Sequence, residues 1–163
     1  MIFIALGSSI GNAENIFRNT AIWLELHGIE VIKKSKILKN PPLGTAAQNE
    51  FSNAVWEIEF RETIWEKINW ILLPKSRRFR LKAFKLLKLL QQCERDHGRV
   101  KTERWADRPL DLDILMFHEL ALNTSRLTIP HSEISKRDFV LQPWRAIVDD
   151  GFEIPNLGLL KDL

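Results

Sequence analysis

The stretch Arg108-Pro109-Leu110-Asp111-Leu112-Asp113-Ile114-Leu115-Met116-Phe117 decides how the chain is read. Alternate side chains of a strand share a face. Leu110, Leu112, Ile114 and Met116 then point one way, into a core. Asp111 and Asp113 point the other way, followed on that face by Leu115 and Phe117. Two acids thus stand at the entrance end of a strand that becomes apolar on both sides. Such a strand belongs inside a sheet, and the elements before it say which kind.

Working back to the N-terminus, Met1–Leu6 reads as a short buried strand. Gly7-Ser8-Ser9-Ile10-Gly11-Asn12 is a turn, with Asn12 placed to cap a helix. That helix runs over Ala13–His27 and ends at Gly28. A strand follows over Glu30–Leu38, then a loop over 39–49 that Pro41-Pro42-Leu43-Gly44 keeps from being helical. Phe51–Phe60 alternates as a long strand, with Phe51, Asn53 and Val55 on one face and Ala54, Trp56 and Ile58 on the other. Helical periodicity returns over Thr63–Leu73, breaks at Pro74–Arg78, and resumes over Phe79–Asp96. An Arg-rich loop over 99–109 leads into Leu110–Phe117, and a short return strand is predicted near Ala121–Leu122. The order strand, helix, strand, strand, helix, strand is that of an α+β ferredoxin-like sandwich. In that layout an antiparallel sheet carries its helices on one face and leaves the other for ligands. Many unrelated functions share this layout, so function must come from the site.

At 163 residues the chain has room for one domain, 1–163, with a proper core. It is 45% apolar and 28% charged, an ordinary globular mixture. No apolar run reaches the ~18 residues that span a bilayer, and the start lacks the basic leader of a secretory signal. One cysteine, Cys93, rules out an internal disulfide. A cytoplasmic location is the default expectation. The net charge is only +3, but it is unevenly spread. Seven Lys/Arg and no acid fall within residues 75–88, inside what is expected to be a basic helical insertion at about 61–93.

Two carboxylates two residues apart on one face repel each other, more so when partly buried. Divalent cations shared with phosphate oxygens would reverse that cost. Arg99, Lys101, Arg104 and Arg108 lie just upstream, and guanidinium forks match phosphate oxygens. Acids for metal beside arginines for phosphate suggest a nucleotide site. The bland alternative is a solvated strand face. His131, after Pro130, is either a phosphate donor or an exposed loop histidine, and Arg137 and Phe139 could share its wall. Phe51 and Asn53 would suit a flat heterocycle, by stacking and paired hydrogen bonds. They would equally serve as a core ring and a capping amide. Gly7–Gly11 is not a phosphate loop, because no Lys follows. There is no C-x-x-C pair and no H-E-x-x-H to suggest zinc.

At these residues the sequence resembles the 6-hydroxymethyl-7,8-dihydropterin pyrophosphokinase family. The resemblance rests on Leu6-Gly7-Ser8-Ser9-Ile10-Gly11, Pro41-Pro42-Leu43-Gly44, Phe51-Ser52-Asn53-Ala54-Val55, Gly98-Arg99-Val100 and Glu103-Arg104-Trp105. It continues through Arg108-Pro109-Leu110-Asp111-Leu112-Asp113-Ile114, Leu127-Thr128-Ile129-Pro130-His131 and Arg137–Pro143, in the expected order. It implies a ferredoxin-like fold with extended catalytic loops, ATP and the pterin alcohol as substrates, two Mg²⁺ ions, and AMP as by-product. Asp111 and Asp113 would bind the metal, while Arg99 and Arg108 hold phosphates during transfer. The pterin would lie between Phe51 and Phe139, read by Asn40, Pro41, Leu43 and Asn53 and closed over by Trp105. Glu94, Arg99, Lys101, Arg108, Ile114, Arg126, Thr128, His131, Ser132 and Arg137 would serve the ATP side. A monomer is expected. Ser9 stands where the family usually has Asn, and Phe51 and Ser132 where Tyr is common.

Two rivals remain. A nucleic-acid-binding module would suit a basic ferredoxin-like sheet. The K/R-G-F/Y-G/A-F-V-x-F/Y signature is missing, however, and the acids would repel a phosphate backbone. Another two-metal nucleotide transferase on the same fold is disfavoured by the Pro-Pro-Leu-Gly and Leu-Thr-Ile-Pro-His segments.

Overall fold

The computed structural model describes residues 1–41, 49–62, 67–68, 71–100 and 107–163. Nine strands and three α-helices are found among them. β1 spans Ile2–Ser8, α1 Ala13–Leu26, β2 Ile29–Lys34, β3 Leu38–Asn40 and β4 Phe51–Phe60. α2 spans Lys75–Asp96, β5 Asp111–Phe117, β6 Leu122–Asn123 and β7 Thr128–Ile129. α3 spans Asp138–Arg145, β8 Glu153–Ile154 and β9 Gly158–Leu159. The main sheet runs β2-β4-β1-β5, with β3 also on β4, and every neighbouring pair is antiparallel. The chain is therefore α+β with an antiparallel sheet.

The sequence signals and the elements agree where the chemistry is local. Asn12 caps α1 by accepting the Asn15 N–H at 2.9 Å. Gly28 follows that helix with φ +77°, a conformation that favours glycine. α1 turns Phe17, Thr20, Ala21 and Leu24 inward, and α2 turns Ala83, Leu86, Leu90 and Cys93. Both pack on the sheet face built from Ile2, Ile4, Leu6, Ala54, Trp56, Ile58, Leu112 and Ile114. Each fully buried leucine here contributes roughly 1.5–3 kcal/mol of burial free energy.

Several boundaries differ from expectation. β1 continues through Ser8, so Gly7 lies within a strand rather than in a turn. α2 begins at Lys75, directly after Pro74, because proline is tolerated at a helix start. The basic residues that seemed to break the pattern are thus its first turn. The helix predicted over Thr63–Leu73 falls largely outside the described residues.

The expectation that helices occupy one face is also corrected. The opposite face carries its own core, in which α3 brings Val140, Leu141 and Trp144 against Phe3, Val55 and Leu115. Phe152, Ile154 and Leu160 from the C-terminal segment close it. Trp144 is fully buried, its ring centroid 5.1 Å from Phe3 and 5.9 Å from Phe152.

Strict alternation along β5 fails at one place. Ile4 pairs with Ile114 and Phe3 with Met116, leaving Leu115 as an extra residue. This bulge reverses the parity of the residues beyond it. Met116 joins Leu115 in the α3-side core, and Phe117 passes beneath α2, near Phe60 and Phe79.

Candidate active site

β1 lies between β4 and β5, and the register places Gly7 opposite both Asn53 and Asp111. One row of the sheet therefore reads Asp111, Gly7, Asn53. A Cβ at Gly7 would meet Asn53 Oδ1 at 3.3 Å and Asp111 Cβ at 3.7 Å. Glycine keeps this row open, so an acid and an amide two strands apart face a common space. That space is a cleft of about 230 Å³. Its carboxylate end holds Asp111, Asp113, Arg99, Arg108, His131 and Arg137, and its other end Asn40, Phe51, Asn53 and Phe139.

The carboxylates are held by guanidinium groups. Asp111 Oδ1 lies 2.7 Å from Arg99 Nη1 and 3.2 Å from Arg108 Nη1. Arg137 Nη1 donates to Asp113 Oδ2 at 3.1 Å. Arg99 also pairs with Glu94, which is buried and accepts the Leu112 N–H at 2.8 Å. Burial pushes the Glu94 carboxyl up to about 7, opposed by the Leu112 N–H and by Arg99. Glu94 thereby ties the end of α2 to β5 and steers Arg99 from below.

His131 is oriented from two sides. Its backbone N–H donates to the Leu115 carbonyl at 3.0 Å, along the outer edge of β5. Its Nδ1 accepts the Glu133 N–H at 3.2 Å, which leaves the proton of the neutral ring on Nε2. Nε2 lies 3.7 Å from Asp113 Oδ2. Burial lowers the His131 pKa, more than Asp113 restores it, so the neutral form prevails at neutral pH.

At the other end, β3 pairs Asn40 with Phe51, and the Asn53 side-chain amide donates to Asn40 Oδ1. Phe139, at the start of α3, also lines the cleft. Two phenyl rings and two amides here are a polar-edged slot for a flat molecule.

The structure thus gathers Asn40, Phe51, Asn53, Arg99, Arg108, Asp111, Asp113, His131, Arg137 and Phe139, and sets Glu94 behind them. Of the other expected residues, those that are described do not line the cleft. Pro41 is exposed, and Ser132 is exposed beside His131. The Ile114 side chain is buried in the α2-side core, because its parity is opposite to that of Asp113. Arg126 lies over the Phe84 ring at 5.9 Å, and Thr128 donates to Asn123 at 3.4 Å. Leu43, Lys101 and Trp105 lie outside the described residues.

Sequence reasoning missed two residues. Gly7 lines the cleft, and a glycine inside an apolar strand was the available signal of a close approach. Ser9 clamps Arg108. Its hydroxyl accepts the Arg108 N–H at 3.0 Å, and its own N–H donates to the Arg108 carbonyl at 3.0 Å. The serine that replaces the usual asparagine still fixes a backbone, across a sequence distance that no local pattern reveals.

A carboxylate pair ringed by guanidiniums opens onto an aromatic slot, an arrangement suited to a protein that brings a polyanion to a flat partner. Residues 68–149 match the family model described as 7,8-dihydro-6-hydroxymethylpterin-pyrophosphokinase (HPPK). The chain is 32% identical over 162 residues to the 2-amino-4-hydroxy-6-hydroxymethyldihydropteridine pyrophosphokinase of Haemophilus influenzae, covering 99% of this chain and 89% of that protein. It is 35% identical over 146 residues to the Bacillus subtilis protein of the same name, covering 89% and 76%. The like-named Pseudomonas aeruginosa protein is 31% identical over 162 residues, covering 96% and 88%. The chain belongs to the HPPK family.

Proposed function

We propose that this chain transfers pyrophosphate from ATP to the hydroxymethyl group of 6-hydroxymethyl-7,8-dihydropterin, giving AMP and the pterin pyrophosphate for folate synthesis. Membership of the family supports the reaction, and the row Asp111–Gly7–Asn53 carries it geometrically. A pterin stacked between Phe51 and Phe139, with its edge on Asn53 and Asn40, directs its hydroxymethyl arm over Gly7 toward Asp111. The triphosphate lies at the arginine end, its nucleoside running out along β5 past Thr128, His131 and Ser132. Ile114 would contribute there through its backbone.

Asp111 and Asp113 would hold Mg²⁺. The donor chemistry fits, since Mg²⁺ takes one or two carboxylates and fills its remaining positions with water and phosphate oxygens. Among the described residues no group of three or more His, Cys, Asp or Glu gathers. When bound, Mg²⁺ neutralises phosphate charge and fixes its geometry.

The residues of the chain do the positioning. The hydroxymethyl oxygen attacks the β-phosphorus in line. An O–P bond forms, the bridge to the α-phosphate breaks, AMP departs, and the hydroxyl proton passes to water. Arg99, Arg108 and Arg137, which hold carboxylates in this structure, are aimed at the space the phosphates would fill. Negative charge spreads over phosphoryl oxygens during transfer, where prearranged guanidiniums act most strongly. Neutral His131 offers its Nε2 proton to a phosphate oxygen. We take residues 1–163 as one ferredoxin-like domain, supported by the β2-β4-β1-β5 order and the α1 and α2 crossovers, with the basic helical insertion at about 61–93 lengthening the α2 crossover.

Protein, ATP, Mg²⁺ and the pterin alcohol should yield AMP only when the pterin is present. ADP, or no nucleotide turnover, would overturn the proposal. Asp113→Ala should fold normally and lose at least ~100-fold in turnover, the scale for removing one preorganised charge.

A further inference from the structure

The basic stretch within α2 takes no part in the site, and the structure shows which way it faces. Ala83, Leu86, Leu90 and Cys93 are buried against the sheet. Arg77, Arg80, Leu81, Lys85, Lys88, Gln92 and Arg95 are exposed or half-buried on the outer side. At 3.6 residues per turn, Arg77, Leu81, Lys88 and Arg95 form one stripe directly opposite the buried side, with Arg80 flanking it, while the Lys85 ammonium lies over the Phe60 ring at 5.7 Å. No acid occurs between Lys75 and Cys93. Lys82, by contrast, is turned toward Glu62 and is largely covered, so it is not part of this face.

Large aliphatic groups are exposed on this stripe, at Leu81, and in the residues just before the helix, at Ile71 and Leu72. Ile71 is 71%, Leu72 79% and Leu81 44% exposed. Cations interleaved with protruding aliphatic side chains match an interface that has negative charge at its surface and hydrocarbon just beneath. A nucleic-acid face would instead present rings for stacking. The aromatics of this helix are already engaged: Phe79 stacks on His118 at 4.5 Å, and Arg126 lies over Phe84. We propose that the outer face of α2, which carries Leu81 and is preceded by the exposed Ile71 and Leu72, docks on the surface of an anionic lipid bilayer. The cleft opens on the other side of the sheet, beside Ala5, Phe139 and Val140, so docking leaves it open to soluble substrates.

Co-sedimentation tests this with the full chain and vesicles of phosphatidylcholine, alone or with about 30% phosphatidylglycerol to give a negative surface. The protein should pellet with the anionic vesicles only, and should be released as salt rises from about 0.1 M to about 0.5 M. Arg77→Glu/Arg80→Glu/Lys88→Glu should weaken that binding at least ~10-fold, given about fivefold per basic residue held near such a surface. Its far-UV spectrum should be unchanged, as should its turnover with soluble substrates. Ile71→Asn/Leu72→Asn should weaken binding severalfold with the charge unaltered. Equal sedimentation with both vesicle types, or with neither, overturns the proposal. So does retention of anionic-vesicle binding by the charge-reversed protein. Binding to single-stranded poly(U) that survives Ile71→Asn/Leu72→Asn, without vesicle binding, would assign the face to nucleic acid and overturn it as well.

Discussion

Glu94→Gln isolates the energetic cost of the acid buried behind the site. The glutamine keeps an oxygen for the Leu112 N–H but cannot ionise. In the native protein the Glu94 carboxyl is raised from 4.5 to about 7, with burial the leading cause. Between those values the folded state holds a proton that the unfolded chain has released, so this group makes stability fall as pH rises across the window. Two and a half pH units correspond to about 3 kcal/mol. His118 and His131 act in the opposite sense, their pKa values being lowered by burial. The stability of the native protein alone therefore shows a blend. The difference between Glu94→Gln and native protein removes the common contributions. Replacing the ion pair with Arg99 adds an offset, but its change with pH belongs to Glu94. Urea denaturation at intervals from pH 4.5 to 8 should show the variant gaining about 3 kcal/mol relative to native protein. In a domain of this size that is a relative melting shift of about 6–12 °C. A gap that stays constant within about 0.5 kcal/mol across this range would refute the account of Glu94.

His118 has φ +49° and stacks on Phe79, and burial lowers its pKa to about 4. Its contribution to stability is intact above pH 6.5 and is lost as pH falls toward 4. His118→Asn, which accepts the left-handed backbone, should flatten the acid limb of the urea-midpoint profile. Trp144 is buried, and its indole N–H has no hydrogen-bond partner among the described residues. Trp144→Phe should cost no more than about 1.5 kcal/mol by denaturant titration, whereas Trp144→Ala should cost about 3–5 kcal/mol. Asn49 bonds Asp107 twice, through its side chain at 2.7 Å and its backbone at 3.3 Å, joining the two chain segments that flank the cleft. Asn49→Ala should raise the KM for the pterin severalfold with little change in melting temperature.

The site was legible in the sequence where chemistry is carried by alternation. Asp111 with Asp113, and Phe51 with Asn53, share faces because a strand repeats every two residues. Asn12 and Gly28 were readable because caps are local. The hidden features depend on pairs far apart in the chain. Leu115 becomes a bulge only against β1, which no pattern within β5 reveals, and it moved Met116 and Phe117 to faces opposite those expected. The α3-side core was hidden because an eight-residue helix containing Pro143 and scattered C-terminal apolar residues carry little periodicity. Glu94 reads as another helix-surface acid until Leu112 and Arg99 are set around it.

The extra residue in β5 gives one strand two separate duties. Upstream of Leu115, substitutions on the exposed side alter chemistry and leave the floor beneath α2 unchanged. Downstream, the same side belongs to structural filling. A one-residue deletion at 115 would remove the bulge while leaving Met116 and Phe117 opposite Phe3 and Ile2 and both aspartates where they are. Damage to folding and damage to turnover could then be produced independently in a single seven-residue segment.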